Sequence, residues 1–402
     1  MDIQNFSALF NTPARREAFL KLIKDNKTKH IFIQGLEGSS IALFFSNLLE
    51  HKQAHIIIAN DLDEAGYLYN DLVQINGNDH ILLFPSGYKR DIKYGQPDPP
   101  SEILRTEVLN RLCQKGESLL IVTYPEAIAE KVVPVNMLSE QTLHIDKNSK
   151  CDIITLSDKL RERGFEEVDY VYEPGQFAVR GSILDVFSYT NELPYRIDFF
   201  GKEVESIRTF EVETQLSTGK LEEVYIVANV CGQEASGISI LDFIDKNTIL
   251  ICHNLSWVID RISTIASESL SEQTLIAEEG DRYAMQKIID VTAFQKKITT
   301  FRRIDYGANS EANTPAVIRF NCAPQGVYHK NFDLVSQSFS QFIEKGYTLY
   351  ILSDSEKQIE RLQAIFEERG DSISFTPVLK TLHEGFVDND LKIGCFTDHQ
   401  IF

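Results

Sequence analysis

The stretch His30-Ile31-Phe32-Ile33-Gln34-Gly35-Leu36-Glu37-Gly38-Ser39-Ser40-Ile41-Ala42 decides the first half of the fold. His30–Ile33 is a short apolar run of buried-strand length, Gly35–Ser40 a Gly/Ser turn, and Ile41–Leu49 a helix. The same alternation repeats outward. His55–Ala59 reads as a strand and Asp63–Val73 as a helix; Ile81–Phe84 is a strand and Glu102–Cys113 a helix; Leu119–Val122 is a fourth strand. Four-residue apolar runs separated by helices predict a parallel sheet covered on both faces.

Strand, glycine turn and helix are also where a phosphate-binding loop would sit, with the pattern G-x-x-x-x-G-K-[ST]. Gly35 supplies the first glycine and Gly38 lies inside the loop. Ser40 stands at the second glycine, Ile41 at the lysine, Ala42 at the metal-binding hydroxyl, and Glu37 adds negative charge. Losing both the lysine and the hydroxyl removes the charge on the β/γ-phosphates and a Mg²⁺ ligand. The loop is therefore expected to be inactive, with at most an anion resting on the N–H groups of the helix start. The strand that should end in metal-holding acids, Thr248–Cys252, is followed by His253-Asn254. Cys252 and His253 point to opposite faces of a strand and have no visible triad. No other catalytic or metal-ligand template is met, so no catalytic residue, metal or cofactor is expected in this chain.

The chain has 402 residues, which points to more than one core, and a net charge of −19. That charge argues against a surface coated in phosphate contacts, though not against a local basic patch. The six cysteines, Cys113, Cys151, Cys231, Cys252, Cys322 and Cys395, are scattered and are expected to be buried free thiols. The start of the sequence lacks a signal-peptide pattern and no apolar run approaches membrane length, so a cytoplasmic protein with no membrane contact is expected.

Near residue 140 the texture changes. After a helix at Leu156–Arg163 come Gln176–Arg180, Ile183–Phe187, Tyr195–Phe200 and Ser206–Val212, punctuated by Gly and Pro. Their alternation predicts an antiparallel sheet with one wet face. Tyr195, Ile197 and Phe199 share the apolar face; Arg196, Asp198 and Phe200 share the other, as do Ala178 and Arg180 on the first strand. Two arginines and a phenylalanine on one exposed face are the composition of a protein-binding hot spot. A structural salt bridge from Arg196 to Asp198 or another acid, and a core position for Phe200, are the plainer alternatives. Beyond residue 229 strands and helices return. Ala266–Asn313 is the least legible segment. Tyr347–Leu352 is a strand, Ser353 a helix cap, Glu356–Glu368 a helix stopped by Gly370, and Ile393–Phe402 a last strand.

The block Glu173-Pro174-Gly175-Gln176-Phe177-Ala178-Val179-Arg180-Gly181-Ser182-Ile183-Leu184-Asp185-Val186-Phe187, continued by Leu193-Pro194-Tyr195-Arg196-Ile197-Asp198-Phe199-Phe200-Gly201, resembles a motif shared by UvrB and the transcription-repair coupling factors. The decayed phosphate loop is similar to the coupling factors rather than to UvrB. So is the short path from Phe84–Tyr88 through Asp98–Ser101 to the next helix, with no room for a damage-probing hairpin. Leu382–Val387 and Phe396-Thr397-Asp398 resemble closing motifs of the small domain that follows in the same family.

The resemblance implies an α/β multidomain fold in four parts. Residues 1–139 and 229–311 form a degenerate P-loop-NTPase-like domain. Residues 140–228 form an inserted α+β UvrA-binding-like domain, and residues 312–402 a small α/β domain. It implies that Arg180, Arg196 and Phe200 contact UvrA, and that Arg180→Glu or Arg196→Glu abolishes binding with the fold intact. It further implies that ATP, Mg²⁺, DNA and RNA polymerase are handled by motor domains outside this chain. The parent's C-terminal domain would cover the UvrA-binding face. A divergent UvrB-like nucleotide enzyme and a direct DNA-binding module are the competing readings.

Overall fold

The structure, a computed structural model, describes residues 1–25, 27–87, 98–114, 116–140, 142–147, 149–189, 191, 193–228, 237–273, 288–308 and 316–402. The path through 88–97, on which the missing-hairpin expectation rests, lies outside these residues, as does Cys231.

Along the chain the strands are β1 (His30–Gln34), β2 (Ala54–Ile58), β3 (Ile81–Leu83) and β4 (Leu119–Thr123). Then come β5 (Thr142–Asp146), β6 (Glu166–Glu167), β7 (Gln176–Arg180), β8 (Ile183–Val186), β9 (Tyr195–Phe200), β10 (Glu203–Phe210), β11 (Ser217–Leu221) and β12 (Glu223–Val227). The last run is β13 (Ile249–Cys252), β14 (Arg302–Gly307), β15 (Ala316–Arg319), β16 (Cys322–Pro324), β17 (Thr348–Leu352), β18 (Thr376–Val378), β19 (Phe386–Asp388) and β20 (Ile393–Thr397).

Seven of these strands form one sheet in the order β15-β1-β14-β13-β2-β4-β3. Every neighbouring pair in it is parallel. All five residues of β4 are buried, as a strand sandwiched between two helical layers must be. The sheet is assembled from residues 30–123 and 249–319; the strands between them belong to other sheets.

The interior strand β14 falls in the least legible segment. Its Arg302, Arg303 and Asp305 hide the apolar run. Their charges are absorbed locally: Arg302 donates to the carbonyls of Thr28, Ile23, Leu22 and Asp25 at 2.5–2.9 Å. Asp305 lies 2.7 Å from His30 and 2.9 Å from Arg303, and accepts from the Cys252 thiol at 3.1 Å. A buried charge is tolerated when it is paired and hydrogen-bonded in this way.

The second sheet has the order β11-β10-β9-β8-β7-β6 and is antiparallel except between β6 and β7. The β5–β12 pair and the helix Ile153–Glu162 close its apolar face around Phe177, Leu184, Tyr195 and Ile197. The third sheet has the order β16-β19-β20-β17-β18.

Several local expectations are corrected. The helix after the glycine turn is α-helical only at Ser40–Phe45 and tightens to a 3₁₀ turn at Ser46–Glu50. Ser355, not Ser353, caps the helix Glu356–Arg369; Ser353 is buried and donates to Asp398 at 2.5 Å. Gly370 ends that helix in the left-handed conformation (φ +73°), as the sequence suggested. The final strand stops at Thr397 and Asp398–Ile401 is helical. β15 pairs with β1 although it lies beyond residue 311. Cys113 is exposed and Cys151 and Cys322 are half-buried, while Cys252 and Cys395 are buried; none of these five is in a disulfide. Among the described residues, no helix is long and apolar enough to cross a membrane.

Candidate functional site

The alternation along β9 places Tyr195, Ile197 and Phe199 in the core, with Arg196, Asp198 and Phe200 opposite. Register then decides which charges meet. Asp185 of β8 stands directly across from Arg196 of β9 and from Ala178 of β7. It is fully buried, and both arginines converge on it. Arg196 binds it in a bidentate fork, Nε to Oδ1 at 2.7 Å and Nη2 to Oδ2 at 2.8 Å. Arg180 Nη2 donates to the same Oδ2. Forked guanidinium–carboxylate pairs fix geometry as well as charge. The hydrogen bonds it donates to Asp185 hold Arg196 yet more firmly protonated than an ordinary arginine.

The two arginines are not equivalent. Arg196 is sealed in: its guanidinium lies 4.4 Å from the Phe210 ring, Nη1 donates to the Gln215 carbonyl at 3.0 Å, and only 13% of its side chain is exposed. Arg180 rests 5.0 Å from the ring of the exposed Tyr170 and keeps 34% exposure. Asp198 pairs instead with Arg208 at 2.5 Å and accepts from the Ser206 hydroxyl. The salt-bridge alternative for Arg196 thus holds, with Asp185 as the acid. The core alternative for Phe200 does not, since Phe200 is 78% exposed.

The face is also less wet than the alternation implied. Val171, Ala178, Phe187 and Phe210 form a small second core on it, which covers the Arg196 end and leaves the Phe200 end open. Arg196→Glu would leave the buried Asp185 with Arg180 as its remaining arginine partner, so this change is expected to cost stability rather than spare the fold. Sequence reasoning passed over Asp185, Tyr170 and Phe210. An acid set between Leu184 and Val186 was the available signal, because the core phase of those neighbours forces Asp185 onto the arginine face.

The glycine-turn loop is brought together elsewhere, at the C-terminal end of β1 in the seven-stranded sheet. Several of its N–H groups have protein partners. Glu37 N–H donates to Ser40 Oγ at 2.9 Å, Ser40 N–H to the Glu37 carbonyl at 3.2 Å and Ile41 N–H to the Gly38 carbonyl at 3.3 Å. Ser40 and Ala42 are fully buried. The adjoining cleft, about 590 Å³, is lined by Glu37, Asp61, Asp63, Glu64 and Glu384, a poor environment for phosphate.

Asp71 sits behind this loop, nearly buried, and burial pushes its carboxyl up to about 6. Glu384 pushes in the same direction; the Ser39 hydroxyl, the His383 N–H and His399 pull against it. Because the folded value exceeds the unfolded one, the folded chain binds the extra proton. Stability contributed at low pH is lost as pH rises from about 4 through about 6. The loss is at most about 3 kcal/mol, because each tenfold gain in proton affinity on folding is worth roughly 1.4 kcal/mol. Asp71→Asn is expected to flatten this segment of the stability curve, measured by urea denaturation at pH 4 and pH 7.

Comparison with known proteins places these features in a family context. Residues 143–230 match the family described as "UvrB interaction domain". Arg180, Asp185, Arg196 and Phe200 all fall inside that match. A transcription-repair-coupling factor from Staphylococcus aureus (strain MRSA252) is 21% identical over 445 aligned residues, covering 92% of this chain and 38% of the relative. One from Staphylococcus epidermidis (strain ATCC 35984) is 20% identical, covering 89% and 35%. The chain thus spans little more than a third of the length of these relatives. Over residues 143–230 it is similar to the UvrB interaction domain family, and along nearly all of its length it is similar to the transcription-repair coupling factors.

Proposed function

We propose that this chain acts as the adaptor region of a transcription-repair coupling factor, offering the β7–β10 face to UvrA at sites where RNA polymerase has stalled. The observation that carries this reading is the exposed Phe200 on the same sheet face as the Arg180–Asp185–Arg196 bridge, within the segment matched as a UvrB interaction domain. A protruding aromatic sharing a face with a pre-oriented guanidinium has the composition from which interface hot spots are built. The contact residues in this reading are Arg180 and Phe200 at the open end, with Arg196 reaching UvrA only through what its fork leaves free.

The seven-stranded sheet is read as a decayed P-loop-NTPase-like domain, interrupted in sequence by the α+β unit, and it performs no catalysis. Polymerase release, ATP hydrolysis and DNA translocation then belong to the rest of the parent, whose C-terminal domain covers the β7–β10 face until polymerase is engaged. The compartment is the cytoplasm.

Titration calorimetry tests this directly. The chain is expected to give a saturable one-to-one heat with UvrA and none with millimolar ATP–Mg²⁺. Absence of UvrA binding would overturn the adaptor reading. A nucleotide heat would favour the UvrB-like enzyme, and DNA affinity falling steeply with salt would favour the DNA-binding module.

A further inference from the structure

The turn Gly35–Ser40 is met by a segment more than three hundred residues away, Leu382–Gly385 between β18 and β19. The turn and Asp71 meet this segment at its main chain. Ser39 N–H donates to the Glu384 carbonyl at 3.1 Å, and Ser39 Oγ accepts from Glu384 N–H at 3.0 Å. The Ser39 hydroxyl donates to Asp71 Oδ2 at 2.5 Å, and Asp71 Oδ1 accepts from His383 N–H at 2.7 Å. The Tyr67 ring lies flat on the His383 imidazole, centroids 3.5 Å apart and planes 6° apart.

Both segments carry a glycine here; Gly38 is required by the contact between them, Gly385 by packing inside the β16–β20 unit. A Cβ on Gly38, which has φ +53°, would sit 2.7 Å from the Gly385 carbonyl oxygen. A Cβ on Gly385 would sit 1.9 Å from Gln325 Oε1. A phosphate loop offers N–H donors to oxygens; here the oxygen presented to Ser39 is a peptide carbonyl.

We propose that the Gly35–Ala42 turn, together with Asp71, is an intramolecular peptide-binding site whose ligand is the backbone of His383–Glu384, and that its occupation locks the β16–β20 unit onto the seven-stranded sheet. The chemistry selects a backbone over a polyphosphate. The Asp71 carboxylate accepts an amide N–H, and Glu37 and Glu384 flank the opening with negative charge. Other ties, such as Arg15 to Asp388 at 2.6 Å, join the same units. Breaking the site therefore loosens the junction locally without separating the units.

Hydrogen exchange read by mass spectrometry on the 402-residue chain tests this, with Ser39→Ala, Asp71→Ala and Asp71→Asn. Ser39→Ala and Asp71→Ala are expected to speed exchange together in peptides spanning 36–43 and 380–386. The expected change is about tenfold or more, the effect of losing a hydrogen bond to a charged group on a local opening equilibrium. Peptides spanning 177–208 stay unchanged. Asp71→Asn, which keeps an acceptor for His383 N–H, is expected to rescue part of the protection. If Asp71→Ala unfolds the chain, seen as lost protection at 177–208, the milder Ser39→Ala decides alone. Exchange that rises on one side only, or on neither, would overturn the proposal. So would wild-type protein that binds inorganic pyrophosphate with protection of 36–43 and exposure of 380–386, since the turn would then be a phosphate site.

Discussion

Arg196→Glu is expected to lower the unfolding free energy of the antiparallel unit by about 3–5 kcal/mol, the cost of breaking a buried ion pair from one side. Three losses add. Asp185, fully buried, keeps only Arg180 as a counter-charge. A second carboxylate arrives directly across the strand pair from it. The Phe210 ring loses the guanidinium that covers it. Against a typical total of about 5–15 kcal/mol for a domain, this is a large fraction. Urea denaturation followed by circular dichroism checks it, and a wild-type midpoint for the variant would refute the buried bridge. Loss of UvrA binding by this variant is consequently no evidence of direct contact.

Phe200→Ala is expected to do the opposite: weaken UvrA binding strongly and leave stability alone. The side chain is 78% exposed, so truncating it opens no cavity and strands no partner; exposed substitutions of this kind change stability by about 0.5 kcal/mol or less. A hot-spot aromatic costs about 2 kcal/mol or more when removed from an interface, roughly a thirtyfold rise in Kd. Calorimetric titration with UvrA, paired with a thermal melt, reads both quantities. Unchanged affinity at unchanged melting temperature would remove Phe200 from the docking face. Arg180→Glu should act in the same direction, with some cost in stability because it too faces Asp185.

The faces of the antiparallel sheet were legible because alternation along one strand fixes them. Alternation put Tyr195, Ile197 and Phe199 on one side and Phe200 on the other, while whether Phe200 was exposed there was settled only by the structure. Which acid Arg196 meets was not legible. That depends on the register between β8 and β9, and a register is a property of two strands. β14 was hidden for a different reason. Its Arg302 is satisfied by carbonyls from residues 22–28, so a polar-looking sequence occupies the interior of a parallel sheet. In the glycine turn, the missing lysine and hydroxyl could be read directly. The backbone that now meets Ser39 could not, because it arrives from residues 383–384.

The split origin of the seven-stranded sheet has a kinetic consequence. β1 is flanked on both sides by strands made some 270–290 residues later, β14 and β15. On a growing chain, both hydrogen-bonding edges of β1 stay open until residue 307 has been made, and one of them until residue 319. Closing so long a loop is slow, and an unpaired apolar edge invites association with other chains meanwhile. The antiparallel unit suffers no such delay, because its pairings from β7 to β11 join strands close in sequence. It is therefore positioned to fold first, as a finished island within an unfinished sheet. Truncations that end before β15 should be aggregation-prone even with the whole antiparallel unit intact.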